Sequence, residues 1–257
     1  MSVSIPPLPS ATDFRGRVAV VTGGTNGLGR HLAQTLIDLG AHVFFCGRQR
    51  DTGAALAADW GEHAHFVACD LADAAATRAF IAGAGAWCGS IDYLVNNAAI
   101  DPVVSFEAST LADFDRIIAI NLRAGFVATQ AALPFLRAGR GKAIVNLGTT
   151  NWMLGQPNYT MYAAAKSGLV GFTRSLAHDV GADAIRVNLV SPGWIMTERQ
   201  LAEKVTPVEQ AQLRSQSALG QLLTAQHVTP ATLFLLSTAA AGITGQNLVV
   251  DGGKHLH

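Results

Sequence analysis

The sequence predicts a single α/β domain, a doubly wound parallel sheet of about seven strands with helices on both faces. Three observations carry that expectation. Short apolar runs alternate with longer Ala- and Leu-rich stretches along all 257 residues. Most of the short runs are continuously apolar rather than alternating, as in strands covered on both faces. No composition break, linker or repeat divides the chain, so residues 14–257 read as one domain. Residues 1–13, with their prolines, read as a flexible lead-in.

The expected strands are Arg17–Thr22, His42–Cys46, His65–Cys69, Ile91–Asn96, Ala143–Gly148, Ile185–Ser191 and Asn247–Asp251. Between them lie the helix-length segments Leu28–Leu39, Ala74–Trp87, Phe114–Leu136, Tyr159–Val180 and His227–Leu236. Parallel strands joined this way need right-handed crossovers, and ligands then bind at the strands' C-terminal ends.

Composition narrows the function. Half the chain (49%) is hydrophobic and only 14% is charged, which suits a large core and excludes disorder. Lys plus Arg equals Asp plus Glu at 18 each, so nothing general attracts nucleic acid or an anionic membrane. The longest apolar runs are strand-sized, which argues against a membrane span. The N-terminal stretch lacks the pattern of a signal peptide, and a cytoplasmic location is expected. Cys46, Cys69 and Cys88, without CxxC spacing, read as small buried residues in a reducing compartment. The histidines are scattered, and no metal is expected.

The first strand runs into TGGTNGLG, Thr22 to Gly29, and then into a helix. Gly23, Gly27 and Gly29 permit a tight turn and close approach of a dinucleotide pyrophosphate to backbone N–H groups at the helix N-terminus, the Rossmann arrangement. Thr25, Asn26 and Leu28 belong to the same turn; a bare structural turn is the alternative. At the end of the second strand, Gly47 and Arg48 replace the acidic residue that would bond the ribose of NAD. A guanidinium pairs with a 2′-phosphate, so NADP is the expected cofactor, with NAD open. Arg50 could share that role, and a solvated loop arginine is the plain alternative.

Tyr162 and Lys166, four apart in a helical stretch, share one face. A free phenol titrates near 10, and an adjacent ammonium would lower it toward a working base. Tyr162 would then exchange the substrate hydroxyl proton while hydride passes to the nicotinamide.

The spacing TGxxxGxG, with YxxxK after the fifth strand, resembles the short-chain dehydrogenase/reductase family from Arg17 to Gly253. That resemblance implies an NAD(P)-dependent oxidoreductase and further roles. Asp70 and Leu71 would meet the adenine; Asn97 and Ala98 would follow the fourth strand beside the cofactor. Lys166 would hold the nicotinamide ribose. Thr149 stands where most relatives have the Ser that polarises the substrate oxygen, with Thr150 as a second candidate. Asn121 matches the residue that props a water in a proton relay, the alternative being a local backbone bond. Pro192, Gly193, Ile195 and Thr197 would cover the nicotinamide. Relatives commonly form homotetramers on their fourth and fifth helices, and Ala163, Ala164, Ala165, Gly168 and Gly171 would permit close packing there.

Within the family, the runs Gly148–Gly155 and Ser191–Gln200 look most like bacterial aldose 1-dehydrogenases of the D-xylose and L-fucose type. Trp152 and Trp194 would stack on a sugar ring while Gln156, Asn158, Arg199 and Gln200 bond its hydroxyls. Both indoles could instead be packing residues. A 3-oxoacyl thioester or general carbonyl reductase shares every motif named, and a catalytically silent nucleotide-binding regulator is a third class.

Overall fold

The computed structural model describes residues 10–203 and 205–255. Strands β1 (Val18–Val21), β2 (His42–Gly47), β3 (Ala64–Ala68), β4 (Tyr93–Asn96), β5 (Ala143–Leu147), β6 (Arg186–Pro192) and β7 (Asn247–Val250) form one sheet. Its order is β3-β2-β1-β4-β5-β6-β7 and every pairing is parallel. The chain starts in the middle, winds outward to β3, then crosses back to build from β4. The reversal between β1 and β4 opens a crevice at the strands' C-terminal ends.

Helices cover both faces, each over its own apolar core. On one side α1 (Gly27–Asp38), α2 (Arg50–Trp60) and α10 (Ala225–Leu236) bury Leu32, Leu36, Leu56, Trp60 and Leu235 against the strands. On the other, α3 (Ala74–Cys88), α5 (Ala124–Ala138) and α7 (Thr160–Asp179) bury Phe80, Ile81, Leu136 and Ala177. Shorter helices α6 (Asn151–Leu154), α8 (Glu198–Glu203) and α9 (Pro207–Gln216) line the crevice, and α4 (Leu111–Ile118) packs against α7.

Three expectations change. Of the flexible lead-in, residues 1–9 lie outside the described residues, and residues 10–13 are held. Asp13 accepts the N–H and hydroxyl of Thr238 at 3.0 and 2.6 Å, and the Tyr93 hydroxyl donates to its carbonyl at 2.7 Å. The helix expected over Phe114–Leu136 starts earlier, at Leu111, and widens into a π turn at Ala119–Arg123 between α4 and α5. That continuous helix, Leu111–Ala138, is long and apolar enough by length and composition alone to cross a membrane. Half of its most apolar window is buried within the fold, so its apolarity reflects packing between α3, α7 and the sheet.

Small residues on α7 divide by partner. Ala165 is fully buried, and a Cβ on Gly168 would come 2.9 Å from Leu122 Cδ2, so both serve packing within the chain. Ala164 and Gly171 face outward.

Candidate active site

A cleft of about 1050 Å³ runs along the C-terminal edge of the sheet, from the glycine turn to the C-terminal segment. At its cofactor end Gly23 has φ +67°, and a Cβ there would meet Ala98 Cα at 2.9 Å. A Cβ on Gly29 would sit 2.1 Å from the Gly23 carbonyl oxygen. Neither position admits a side chain, and the backbone at the α1 N-terminus is left open to the cleft. The β4 loop is bolted to this turn. Asn97 Nδ2 donates to the carbonyls of Thr22 and Gly23 at 2.9 and 3.1 Å, and the N–H groups of Asn97 and Ala98 donate to Thr22 Oγ1. Asn97 therefore shapes the turn with its side chain.

Thr25, Asn26, Gly27, Leu28, Asp70, Leu71 and Ala98 line the same end. Arg48 is exposed at the end of β2 and lines it too, whereas Arg50, on the first turn of α2, does not. Behind Arg48, a Cβ on Gly47 would come 2.5 Å from both Cγ2 and Oγ1 of buried Thr25. Pro192, Gly193, Ile195 and Thr197 close over the middle of the cleft, and Thr197 faces Gly27. Open glycine backbone, a helix N-terminus and a strand-end arginine fit a nicotinamide dinucleotide.

Deeper in, α7 presents Tyr162 and Lys166 toward the end of β5. Lys166 is 2% exposed and its Nζ donates to the Leu147 carbonyl at 2.6 Å. Thr149 lies beside Tyr162 in the cleft and partly offsets the rise of its phenol, and Thr149 Oγ1 accepts the Asn151 N–H at 3.2 Å. Burial pushes the Tyr162 phenol well above its ordinary range, with the Asp101 carboxylate adding to the rise. Burial pulls Lys166 down to about 8. The phenol is thus raised by desolvation rather than lowered by the ammonium, whose Nζ lies 6.0 Å from the ring centroid, turned to a carbonyl.

Asn121, 3% exposed in the π turn, reaches across the chain rather than along it. Its Oδ1 accepts the Ile100 N–H and its Nδ2 donates to the Ile100 carbonyl, both at 2.8 Å. The amide braces the β4 loop. Thr150 is buried and its N–H donates to the Pro192 carbonyl at 2.9 Å.

At the substrate end the structure brings together Thr149, Gln156, Tyr162, Trp194, Arg199 and Gln200. It leaves out two expected contacts. Trp152 sits half-buried on α6 with its indole N–H enclosed, and it does not line the cleft. Asn158 is exposed at φ +65°, and its carbonyl accepts the Val104 N–H at 3.1 Å. Residues that the sequence argument missed take their place: Asp101, Asn151, Tyr159, Glu209, Gln212, Gln216, Lys254 and His255. His255 is oriented by Asp251, Nδ1 to Oδ2 at 2.7 Å. Thr206-Pro207-Val208-Glu209 is a readable helix start, a capping box with Pro at the first position, and would have located α9.

Residues 23–255 match a family model described as enoyl-(acyl carrier protein) reductase. A probable galactose dehydrogenase of Rhizobium meliloti (strain 1021) is 37% identical over 252 residues, covering 96% of this chain and 98% of that protein. The chain belongs to the short-chain dehydrogenase/reductase family. Two other short-chain dehydrogenase/reductase relatives differ in substrate. A D-xylose 1-dehydrogenase of Caulobacter vibrioides (strain NA1000 / CB15N) is 35% identical over 244 residues, covering 93% of this chain and 96% of that one. A 3-oxoacyl-[acyl-carrier-protein] reductase of Vibrio harveyi is 32% identical over 244 residues, 95% and 99%. Membership makes the chain an oxidoreductase that uses a nicotinamide cofactor, and the sugar dehydrogenases among its relatives agree with the resemblance drawn from its loops.

Proposed function

We propose that this chain is an NADP-preferring dehydrogenase that oxidises an aldose to its lactone. The observation that carries the reading is the polar wall at the substrate end, where Asp101, Gln156, Arg199, Gln200 and His255 line the cleft. A ring of hydroxyls finds donors and acceptors there; an extended acyl chain would strip water from them without replacing it. The galactose and xylose dehydrogenases support the same choice by their names.

When bound, the nicotinamide supplies the hydride acceptor. Tyr162 takes the proton from the substrate hydroxyl, and Thr149 holds the same oxygen. Lys166 steadies the ribose and passes the proton outward. Because the Asn121 amide is committed to Ile100, its part in that relay falls to the backbone of the π turn. Small outward residues on α7 and the exposed Phe126 of α5 favour a homotetramer, and three free cysteines suit the reducing cytoplasm.

A panel of aldoses and polyols, run with NADP and NAD, tests the reading. Lactone formation with NADP reduction is expected. Reduction of an acetoacetyl thioester without sugar oxidation would instead select the reductase reading, which the Vibrio harveyi relative favours. Nucleotide binding without any turnover would select the silent regulator.

Cofactor choice has its own test. A charge-assisted pair contributes roughly 1.5–3 kcal/mol, about ten- to a hundredfold in affinity. Arg48→Ala is expected to weaken NADP(H) by about that factor and leave NAD(H) nearly unchanged. Competitive titration decides it: equal weakening of both nucleotides removes Arg48 from the 2′-phosphate.

A further inference from the structure

One wall of the cleft's substrate end is tied together by a chain of hydrogen bonds that begins on Asp101. This residue follows Ile100, whose backbone Asn121 grips at both N–H and carbonyl. The Asp101 carboxylate reaches from the β4 loop to α8. Its Oδ1 accepts from Arg199 Nη2 at 2.6 Å, and its Oδ2 accepts from Gln200 Nε2 at 3.1 Å. The other end of the same amide, Gln200 Oε1, accepts the indole N–H of Trp194 at 2.9 Å. Gln200 is 8% exposed and the Asp101 side chain 18%, so the Gln200 bonds lie in partly desolvated ground, while the Arg199 side chain, 48% exposed, meets the carboxylate nearer solvent. A carboxylate in such a place is held by its partners and is costly to strand.

We infer that Asp101 is a positioning residue of the oxidoreductase site, fixing α8 and Trp194 over the cleft and so setting the polar wall that selects the substrate. Gln200 cannot turn its amide without breaking bonds on both sides. Trp194 is therefore held by the same carboxylate that orients Arg199, and Trp194, Arg199 and Gln200 move or stay as one unit. The carboxylate lines the same cleft as the proton-transfer pair, and its charge raises the proton affinity of both Tyr162 and Lys166. Around Tyr162 it is joined by Tyr159 and opposed by Arg199, with Lys166 one turn along α7. One acidic side chain thus connects the wall of the substrate end to the charge balance at the reacting oxygen.

The inference rests on the oxidoreductase reading of the cleft and not on the sugar assignment, and its first readout needs no substrate. In Asp101→Asn, hydrogen exchange of the backbone amides over residues 194–203 in the nucleotide-free protein should rise about tenfold, while β4 and β5 amides keep their protection. With whichever substrate the panel identifies, KM should rise about tenfold and kcat change less, as expected when a charge-assisted contact that shapes the pocket is lost. Removing the negative charge lowers the proton affinity of Tyr162 and Lys166, so the acid limb of the pH–rate profile should move to lower pH. Asp101→Glu keeps the charge and should restore the profile. Arg199→Met removes one arm and should raise exchange in the same segment by less, which keeps the test open if Asp101→Asn fails to fold. Unchanged exchange over residues 194–203 overturns the tie, and an unmoved pH profile overturns the link to the proton-transfer pair. A panel that selects the thioester reductase would end the sugar assignment alone.

Discussion

Replacing Tyr162 by Phe is expected to lower turnover by roughly a hundred- to ten-thousandfold, the usual worth of a general base, with nucleotide affinity and melting temperature held. The ring stays in place on α7 and only the phenolic hydroxyl is lost. The electrostatics sharpen the expectation. In the substrate-free cleft burial holds the phenol in its protonated form, while Lys166 at about 8 is still largely an ammonium at neutral pH. Oxidation then requires that proton to leave during the reaction rather than before it, so rates should climb with pH on the acid side. Steady-state kinetics across pH, with nucleotide titration beside them, make the comparison. A Phe variant within a few fold of the parent would remove Tyr162 from the proton path.

Thr149 gives the second large effect. Val keeps the shape of Thr and loses the hydroxyl, so Thr149→Val should cost roughly a hundred- to a thousandfold in kcat, as for loss of one donor at a developing charge. Thr149→Ser keeps the hydroxyl and should stay near the parent rate. Thr150 is buried with its backbone tied to Pro192, whereas Thr149 lines the cleft beside Tyr162, which is the ground for choosing Thr149 in this test. If Val at 149 retains full activity, the polarising group is elsewhere.

The parts of the site that were legible in the sequence are those written in local spacing. The glycine turn and the Tyr162–Lys166 pair each lie within a few residues, and their geometry follows from one turn and one helix face. Strand ends fell within a residue or two for most of the sheet because continuous apolar runs mark strands buried on both sides. Other features depend on contacts between distant segments. Helix α2 has a weak stripe, and its Gly53 is selected by Phe66, which a Cβ would meet at 2.2 Å. The π turn at Asn121 has no proline to announce it. Trp152 and Asn158 were assigned to the substrate because they flank the cleft in sequence, but the α6 turn and left-handed Gly155 aim them elsewhere. Lys254 and His255 reach the cleft only because the segment after β7 folds back toward α9, a fact of tertiary structure.

The Gly47–Thr25 contact bears on how this chain could change its nucleotide over evolutionary time. An aspartate at position 47 is the residue that would welcome an unphosphorylated ribose, yet its Cβ would fall 2.5 Å from both branches of the Thr25 side chain. Rotating a β-branched side chain exchanges one obstructing atom for another. With Ala at 25 only that residue's own Cβ remains, 3.1 Å away, a distance a small adjustment absorbs. The route from one nucleotide to the other therefore has two steps in a set order, the buried threonine first. While Thr25 stands, position 47 is confined to glycine, so a packing contact at the rim of the cofactor end limits which nucleotide the chain can come to use.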